Sequence, residues 1–510
     1  MNVHAGLPIV LGVAPTWLSA WLTPIWVLAV GVVLGLLVLL ALWGLLWLVA
    51  RNAARGVPLA VQEGVLLPIL GVCLAMAAFA AVGALLVREP GGMLRSLTRL
   101  TATGSYEWQF DIPQPAAGAA ENVSHPVDVS FQGRELRRFR LSSDEPLVVS
   151  TTLQPERGVD PLLDVRGGKD FSWVRGEEGR SPFGHQPVAR LYVQNMAERP
   201  ARLRVTAETA PPYPEVVAMP VTALGVIGVF LLYLLQAGLV PKTSAIALAT
   251  AKSEMAQPLY AINLALGCFL LILFVFVPYN TFGEDIKMLK DSGLTLILVL
   301  CIIQAVWGAS TSVADEIEGR TALTVLSKPI GRRQFIFGKF LGIIWSVGLM
   351  FILLGFVFLV MIAYKPVYDA RETANVEPTW VLCYQEVVRT VPGLVLAFLE
   401  TVVLAALSVA IATRLPMLAN FVICFSIYVL GHLTPLIVQS SVGEFEPVVF
   451  MGQLIATIFP VLDHFNIQAA VAAGVAVPLD YLGMALVYCI LYTTIAMLLA
   501  LVLFEDRDLA

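Results

Sequence analysis

Charge is what this chain has least of. Only 14% of its 510 residues are charged, against 58% hydrophobic, whereas soluble domains carry roughly a quarter charged residues. That scarcity excludes an ordinary soluble domain and implies an integral membrane protein. Basic residues are not gathered either. The formal net charge is -5, and no stripe of lysine and arginine is large enough to follow a phosphate backbone, which argues against nucleic acid as a partner. The six cysteines, Cys73, Cys268, Cys301, Cys383, Cys424 and Cys489, mostly stand inside apolar runs and show no CxxC spacing. Neither a metal site nor a disulfide framework is expected from them; they read as small buried apolar residues. Motifs for chemistry are missing as well. There is no GxxxxGK[ST] loop to cradle phosphates, no HExxH for zinc and no GxSxG elbow. The chain is therefore expected to bind no cofactor and to catalyse nothing itself, so a pump built on it takes its ATP hydrolysis from another chain.

Long apolar runs are what fill the sequence. About 20 apolar residues cross the ~30 Å hydrocarbon layer at 1.5 Å per residue. Runs of that length lie at 24–50, 64–87 and 216–240, and then at 258–277, 294–313, 340–363, 391–413, 418–438 and 481–504. The first lacks a basic leader and is too long for a signal-peptide core, so it reads as a retained span. Between the second and third runs the character changes. Residues 88–215 are polar and rich in turn residues, with alternating segments at Tyr106–Ile112, Val127–Phe131, Arg137–Ser142, Pro146–Gln154, Val188–Asn195 and Ala201–Glu208. Aromatic and β-branched alternation broken by Gly, Pro and Asp predicts antiparallel strands, here a small β-sandwich outside the cytosol. Its Asn122-Val123-Ser124 triplet matches a glycosylation sequon. Thr243–Gln257 mixes small apolar residues with Lys252 and Glu254 and predicts an interfacial helix.

The densest charge of the C-terminal half lies in Asp315–Gly342, between two apolar runs. Asp315, Glu316 and Glu318 open it, Thr321–Leu326 is a short helix-competent segment, and Lys328-Pro329 stops that segment; Arg332, Arg333 and Lys339 begin the next run. An acidic first turn and a closing proline are start and stop signals for a helix. The order Glu316, Glu318-Gly319, Arg320-Thr321, Leu326-Ser327-Lys328-Pro329-Ile330, Arg332-Arg333, Phe335, Gly338-Lys339 and Gly342 resembles the intracellular loop of type-2 ABC transporter permeases. The resemblance covers the second half of the chain. It implies a six-span module over 258–510 whose coupling helix, 315–328, meets a separate ABC ATP-binding subunit through Glu316, Glu318, Arg320, Thr321, Leu326, Lys328, Pro329, Arg332, Arg333 and Lys339; Glu316 and Glu318 read equally as pairing within the chain to Arg320, Arg332 or Arg333. It further implies a second permease module, identical or different, an amphipathic helix before the first module span, and a re-entrant hairpin at 448–460.

The fold expected is mainly α: about nine transmembrane helices, with the β-domain inserted between the second and third. Residues 1–87 form a two-helix segment, and 216–257 hold the third span and the connecting helix. Short-loop charge places Arg51, Arg55, Lys242, Lys252, the Lys328–Lys339 cluster, Arg414 and the C-terminus in the cytosol. The N-terminus and the β-domain then face outward from a cell (inner) membrane. Inside the spans, Glu400 and His432 stand out because a charge there is costly unless partnered. Glu400 reads either as part of a substrate or proton path or, with more weight, as a packing group against another helix; His432 reads as packing. Asp463-His464 is a weak sign of catalysis. Three functions compete: an ABC exporter subunit, a membrane-embedded enzyme using Glu400 or Asp463-His464, and a sensor or scaffold whose β-domain binds an envelope partner. The enzyme would need more polar residues in the spans than the sequence holds, and the sensor, whose ABC-like module would transmit mechanical signals, separates from the exporter on deletion of 88–215, which should abolish its response.

Overall fold

The computed structural model describes residues 15–115, 124–153, 162–175, 182–184, 186–279, 284–318, 330–439, 450 and 459–505. It divides into two compact units, a helical one formed by Met1–Arg88 with Ala218–Ala510 and a second of Glu89–Val217.

In the helical unit the apolar runs become helices because lipid offers the backbone no hydrogen-bond partners, and a helix satisfies its own. In chain order these are α1 (Thr16–Val49), α2 (Arg51–Glu63) and α3 (Leu66–Gly83). After the second unit, which contains α4 (Pro90–Arg99), come α5 (Ala218–Leu239), α6 (Pro241–Met255), α7 (Pro258–Phe276) and α8 (Asp285–Ala309). The last four are α9 (Arg332–Glu372), α10 (Trp380–Ala412), α11 (Met417–Gln439) and α12 (Leu479–Glu505). Among the described residues eight helices, α1, α3, α5, α7, α8, α9, α10 and α12, are long and apolar enough to cross a membrane. Within α11 only Met417–Leu433 forms the shorter apolar stretch, at the position of the eighth expected span. α2 and α6 are not spans.

Two expected loops shrink. Tyr364–Arg389 reads as a long loop, yet α9 continues to Glu372 and α10 begins at Trp380. The charges that suggested a loop are partners on helix faces: Lys365, 1% exposed, holds Asp369 one turn on at 2.8 Å and approaches Asp285 of α8 at 3.8 Å. Likewise Thr281–Leu294 reads as a loop, but α8 starts at Asp285, and Lys290, fully buried, reaches Glu386 of α10 at 2.5 Å.

In the second unit eight strands form two antiparallel four-stranded sheets, in the orders β1-β8-β3-β6 and β2-β7-β4-β5. They are β1 (Ser105–Ile112), β2 (Ser124–Gln132), β3 (Leu136–Ser143), β4 (Leu147–Ser150), β5 (Leu162–Val165), β6 (Phe171–Val174), β7 (Pro187–Asn195) and β8 (Ala201–Thr209). β5 and β6 are four residues each, too short to show alternation, and sequence reading passes over them. Alternation does the folding elsewhere: in β8, Leu203, Val205 and Ala207 are buried, whereas Arg204 meets Glu107 of β1 at 3.2 Å on the wet face. Phe139 is fully buried, with ring centroids 5.8 Å from Phe131 and 4.7 Å from Phe183. With a core of its own drawn from both sheets, Glu89–Val217 is expected to fold when expressed alone and to melt in one cooperative transition. In that fragment Phe139→Ala should cost about 3–5 kcal/mol, measured by urea denaturation.

Candidate functional site at the α6, α8 and α9 junction

α8 does not end as a plain helix. Its last residues pass into a π-helical turn, Ser310–Ala314, followed by a final α turn, Asp315–Glu318. Small and hydroxyl-bearing residues make this possible: Ser310 Oγ donates to the Val306 carbonyl at 2.9 Å and Ser312 Oγ to the Gly308 carbonyl at 2.5 Å. Such back-bonding loosens the regular ladder, and a π-turn inserts a residue and re-aims side chains, often at functional sites. Here Ser310 turns toward α10 and α11, where the fully buried Asn420 Nδ2 donates to Ser310 Oγ at 3.0 Å and to Ser408 Oγ at 2.9 Å. Thr311 turns toward α6.

α6 lies along the first turns of α9, and two glycines let it approach. A Cβ placed on Gly338 would meet Ile246 Cβ at 2.6 Å, and one on Gly342 would meet the Ala247 carbonyl oxygen at 2.6 Å. Further along α6, Glu254 is fully buried, at 0% exposure, with its Oε2 against Gly308 of α8, 3.0 Å from where a Cβ would stand. Thr311 Oγ1 donates to Glu254 Oε1 at 2.9 Å, and Gln257 both accepts from the Trp307 indole and lies 3.4 Å from Thr311 Oγ1. Burial pushes the Glu254 carboxyl up to about 7, against smaller lowering by the Thr311 hydrogen bond and the Lys339 charge, while Glu316 adds to the rise. Beside it Lys339 Nζ donates to Glu316 Oε1 at 2.6 Å. Two polar links therefore tie three elements at one end of the bundle: α6 to the end of α8, and the end of α8 to the start of α9. A cavity of about 550 Å³ opens among them, lined by Glu254, Gln257, Thr311, Glu316, Lys339 and Lys242. α12 ends here too, with Phe504 stacked on Phe335 at 5.8 Å and the Glu505 carbonyl accepting from Arg332 at 2.8 Å.

The family model described as ABC-2 family transporter protein matches residues 235–509, more than half of the chain, and takes in α6 together with every helix that meets at this junction. The chain belongs to that family. No curated protein matches it. As an ABC-2 permease it is a multi-pass membrane protein and the membrane subunit of an ABC transporter, a class that in general works with an ATP-binding partner.

Of the residues expected to couple the permease to that partner, the structure brings Glu316 and Lys339 into one ion pair and sets Arg332 against the end of α12. Arg333 is exposed on the first turn of α9. Glu318 closes the last turn after α8, and its side chain lies outside the described residues, as do Arg320, Thr321, Leu326, Lys328 and Pro329. So do Asn122 of the sequon and most of 448–460. Glu400 is 2% exposed in the middle of α10, its Oε1 3.5 Å from His432 Nε2, and His432 Nδ1 faces the Tyr428 carbonyl at 3.0 Å. The two expected intramembrane polar groups thus meet each other where α10 packs on α11. His464 stacks edge-on to Tyr488 at 5.5 Å. The sequence alone assigns no role to Thr311, Gln257 or Asn420 and places Glu254 on an interfacial helix. The signal was there in the run Ser310-Thr311-Ser312, three hydroxyls at the end of an apolar span.

Proposed function

We propose that this permease is the membrane half of an exporter driven by ATP hydrolysis in a separate subunit, with 315–339 as the segment that receives force. In this reading the junction and the C-terminus face the cytosol, while the N-terminus and the β-domain face outward from the cell membrane. A second permease module, identical or not, completes the path. The observation that carries the reading is the pair of links Glu254–Thr311 and Glu316–Lys339. They bind the receiving segment to α6, α8 and α9 together, so a push at the surface moves two spans as a body instead of bending one loop. The apolar walls of the module suit an amphiphilic or lipid-like cargo moved by alternating access.

The test is reconstitution in vesicles with the ATP-binding protein that co-purifies from mild detergent. Glu316→Ala with Glu318→Ala is expected to lower partner-stimulated ATP turnover about tenfold, the equivalent of about 1.4 kcal/mol of lost coupling, with insertion unchanged. Unchanged turnover would remove these carboxylates from the coupling path.

A further inference from the structure

A second cavity, of about 630 Å³, lies between α5, α9 and α10. Its walls are apolar except at one end. Along α5 it runs from Gly225 and Gly228 to Gln236, and along α9 from Ile352 and Gly348 to Trp345 and Leu341, with Phe398 of α10 closing one side. From Gly225 to Gln236 is eleven residues, about 16 Å of helix. Gly225 and Gly228 have nothing within 4 Å of where a Cβ would stand, so these two glycines leave a smooth trough. They are not there to let helices touch.

The polar end has a fixed chemistry. Trp345 Nε1 donates to Gln236 Oε1 at 2.9 Å, and because an indole only donates, this decides which amide atom is the oxygen. Gln236 Nε2 is then left buried with no acceptor among the described residues, its hydration lost without a replacement. Gln236 lies three residues before the end of α5 at Leu239, and the next helix is not a span, so this donor is at the membrane-surface end of the trough. The apolar remainder runs inward.

A hydrogen-bond acceptor at the surface followed by some 16 Å of apolar chain directed into the bilayer is the outline of one ester-linked acyl chain of a glycerolipid. We propose that this trough is a lipid-binding site that takes one acyl chain of a membrane diacylglycerolipid, its ester carbonyl accepting from Gln236 Nε2. The chain would fill the space between α5 and the two spans behind it, α9 and α10. The site is separate from the junction of α6, α8 and α9.

The test uses the full-length protein in nanodiscs of phosphatidylcholine doped with a photoreactive analogue that carries a diazirine in one chain, made in a diester and a dialkyl-ether form. The diester probe is expected to label peptides spanning 225–236 and 341–352, at least fivefold more than the ether probe does. Gly228→Leu, whose Cβ would meet nothing within 4 Å and whose side chain would occupy the trough, should cut that labelling at least fivefold. Gln236→Leu should leave the two probes labelling alike, and Gly483→Leu on α12, where a Cβ also meets nothing within 4 Å, should change nothing. Equal labelling of wild type and Gly228→Leu, or equal labelling of wild type by ester and ether probes, would overturn the proposal.

Discussion

Glu254→Gln should make the permease more stable than the wild type at pH 8 and leave it close to the wild type at pH 5. The carboxyl is fully buried on α6 and held up at about 7, whereas in an unfolded chain it titrates near 4.5. The sign follows from linkage. Below 4.5 both states are protonated and burial costs nothing extra. As pH rises through the window from 4.5 to about 7, the unfolded chain ionises freely while the folded one resists, so stability falls. Above 7 the loss is complete, on the order of 3 kcal/mol at about 1.4 kcal/mol per pKa unit. Gln keeps an oxygen to accept from Thr311 Oγ1 and removes the charge, so the slope should vanish. The measurement is the melting temperature in detergent followed by tryptophan fluorescence at pH 5 and pH 8. A wild-type melting point that does not fall with pH, or a Gln variant that tracks it, would show that Glu254 is not sealed in.

The same carboxyl forms one link of the junction, with Thr311, and lies within electrostatic reach of the other, Glu316–Lys339. Among the described residues Lys339 pairs with Glu316 at 2.6 Å. When Glu254 is ionised, the Lys339 charge attracts it and the Glu316 charge repels it.

How far the sequence reached depends on the range of the interaction. Charge starvation and run length expose the spans, because each span answers to the bilayer residue by residue. The β-domain is legible for a similar reason: β8 alternates buried Leu203, Val205 and Ala207 with outward Arg204, a period that needs no knowledge of the partner strand. The junction is different. α6 reads as an interfacial helix because its lysine and glutamate are scattered among small residues. What buries Glu254 comes from some 50 residues later, where Gly308 of α8 lies against its Oε2 and Thr311 Oγ1 donates to its Oε1, and no local period reports on that. The charged ends of α9 and α10 mislead for the opposite reason. Lys365 and Glu386 look like loop residues until Asp369 and Lys290 are seen to hold them; an ion pair across helices erases the polarity that marks a loop. Asn420 was lost in the same way, as one amide in an apolar run whose two hydroxyl partners come from two other helices.

Gly342→Leu is the substitution expected to take the junction apart. A Cβ at this position would lie 2.6 Å from the Ala247 carbonyl oxygen and 2.6 Å from Thr250 Cβ. The first of these is backbone within α6 and cannot move aside without moving the helix. The rest of a leucine side chain adds to the conflict, so α6 has to leave α9. Overpacking of this kind costs about 1–3 kcal/mol, sometimes more, but stability alone does not distinguish displacement of α6 from general damage. The pH slope does. Once α6 is displaced Glu254 meets water, its carboxyl returns to the ordinary range, and the fall in melting temperature between pH 5 and pH 8 should disappear together with partner-stimulated ATP turnover. Gly355→Ala on the same helix, where a Cβ meets only Leu394 at 3.5 Å and 3.8 Å, is expected to keep both the slope and the turnover. A Gly342→Leu protein that retains the wild-type pH slope would mean that α6 does not depend on this close approach, and that Glu254 is sealed in by other means.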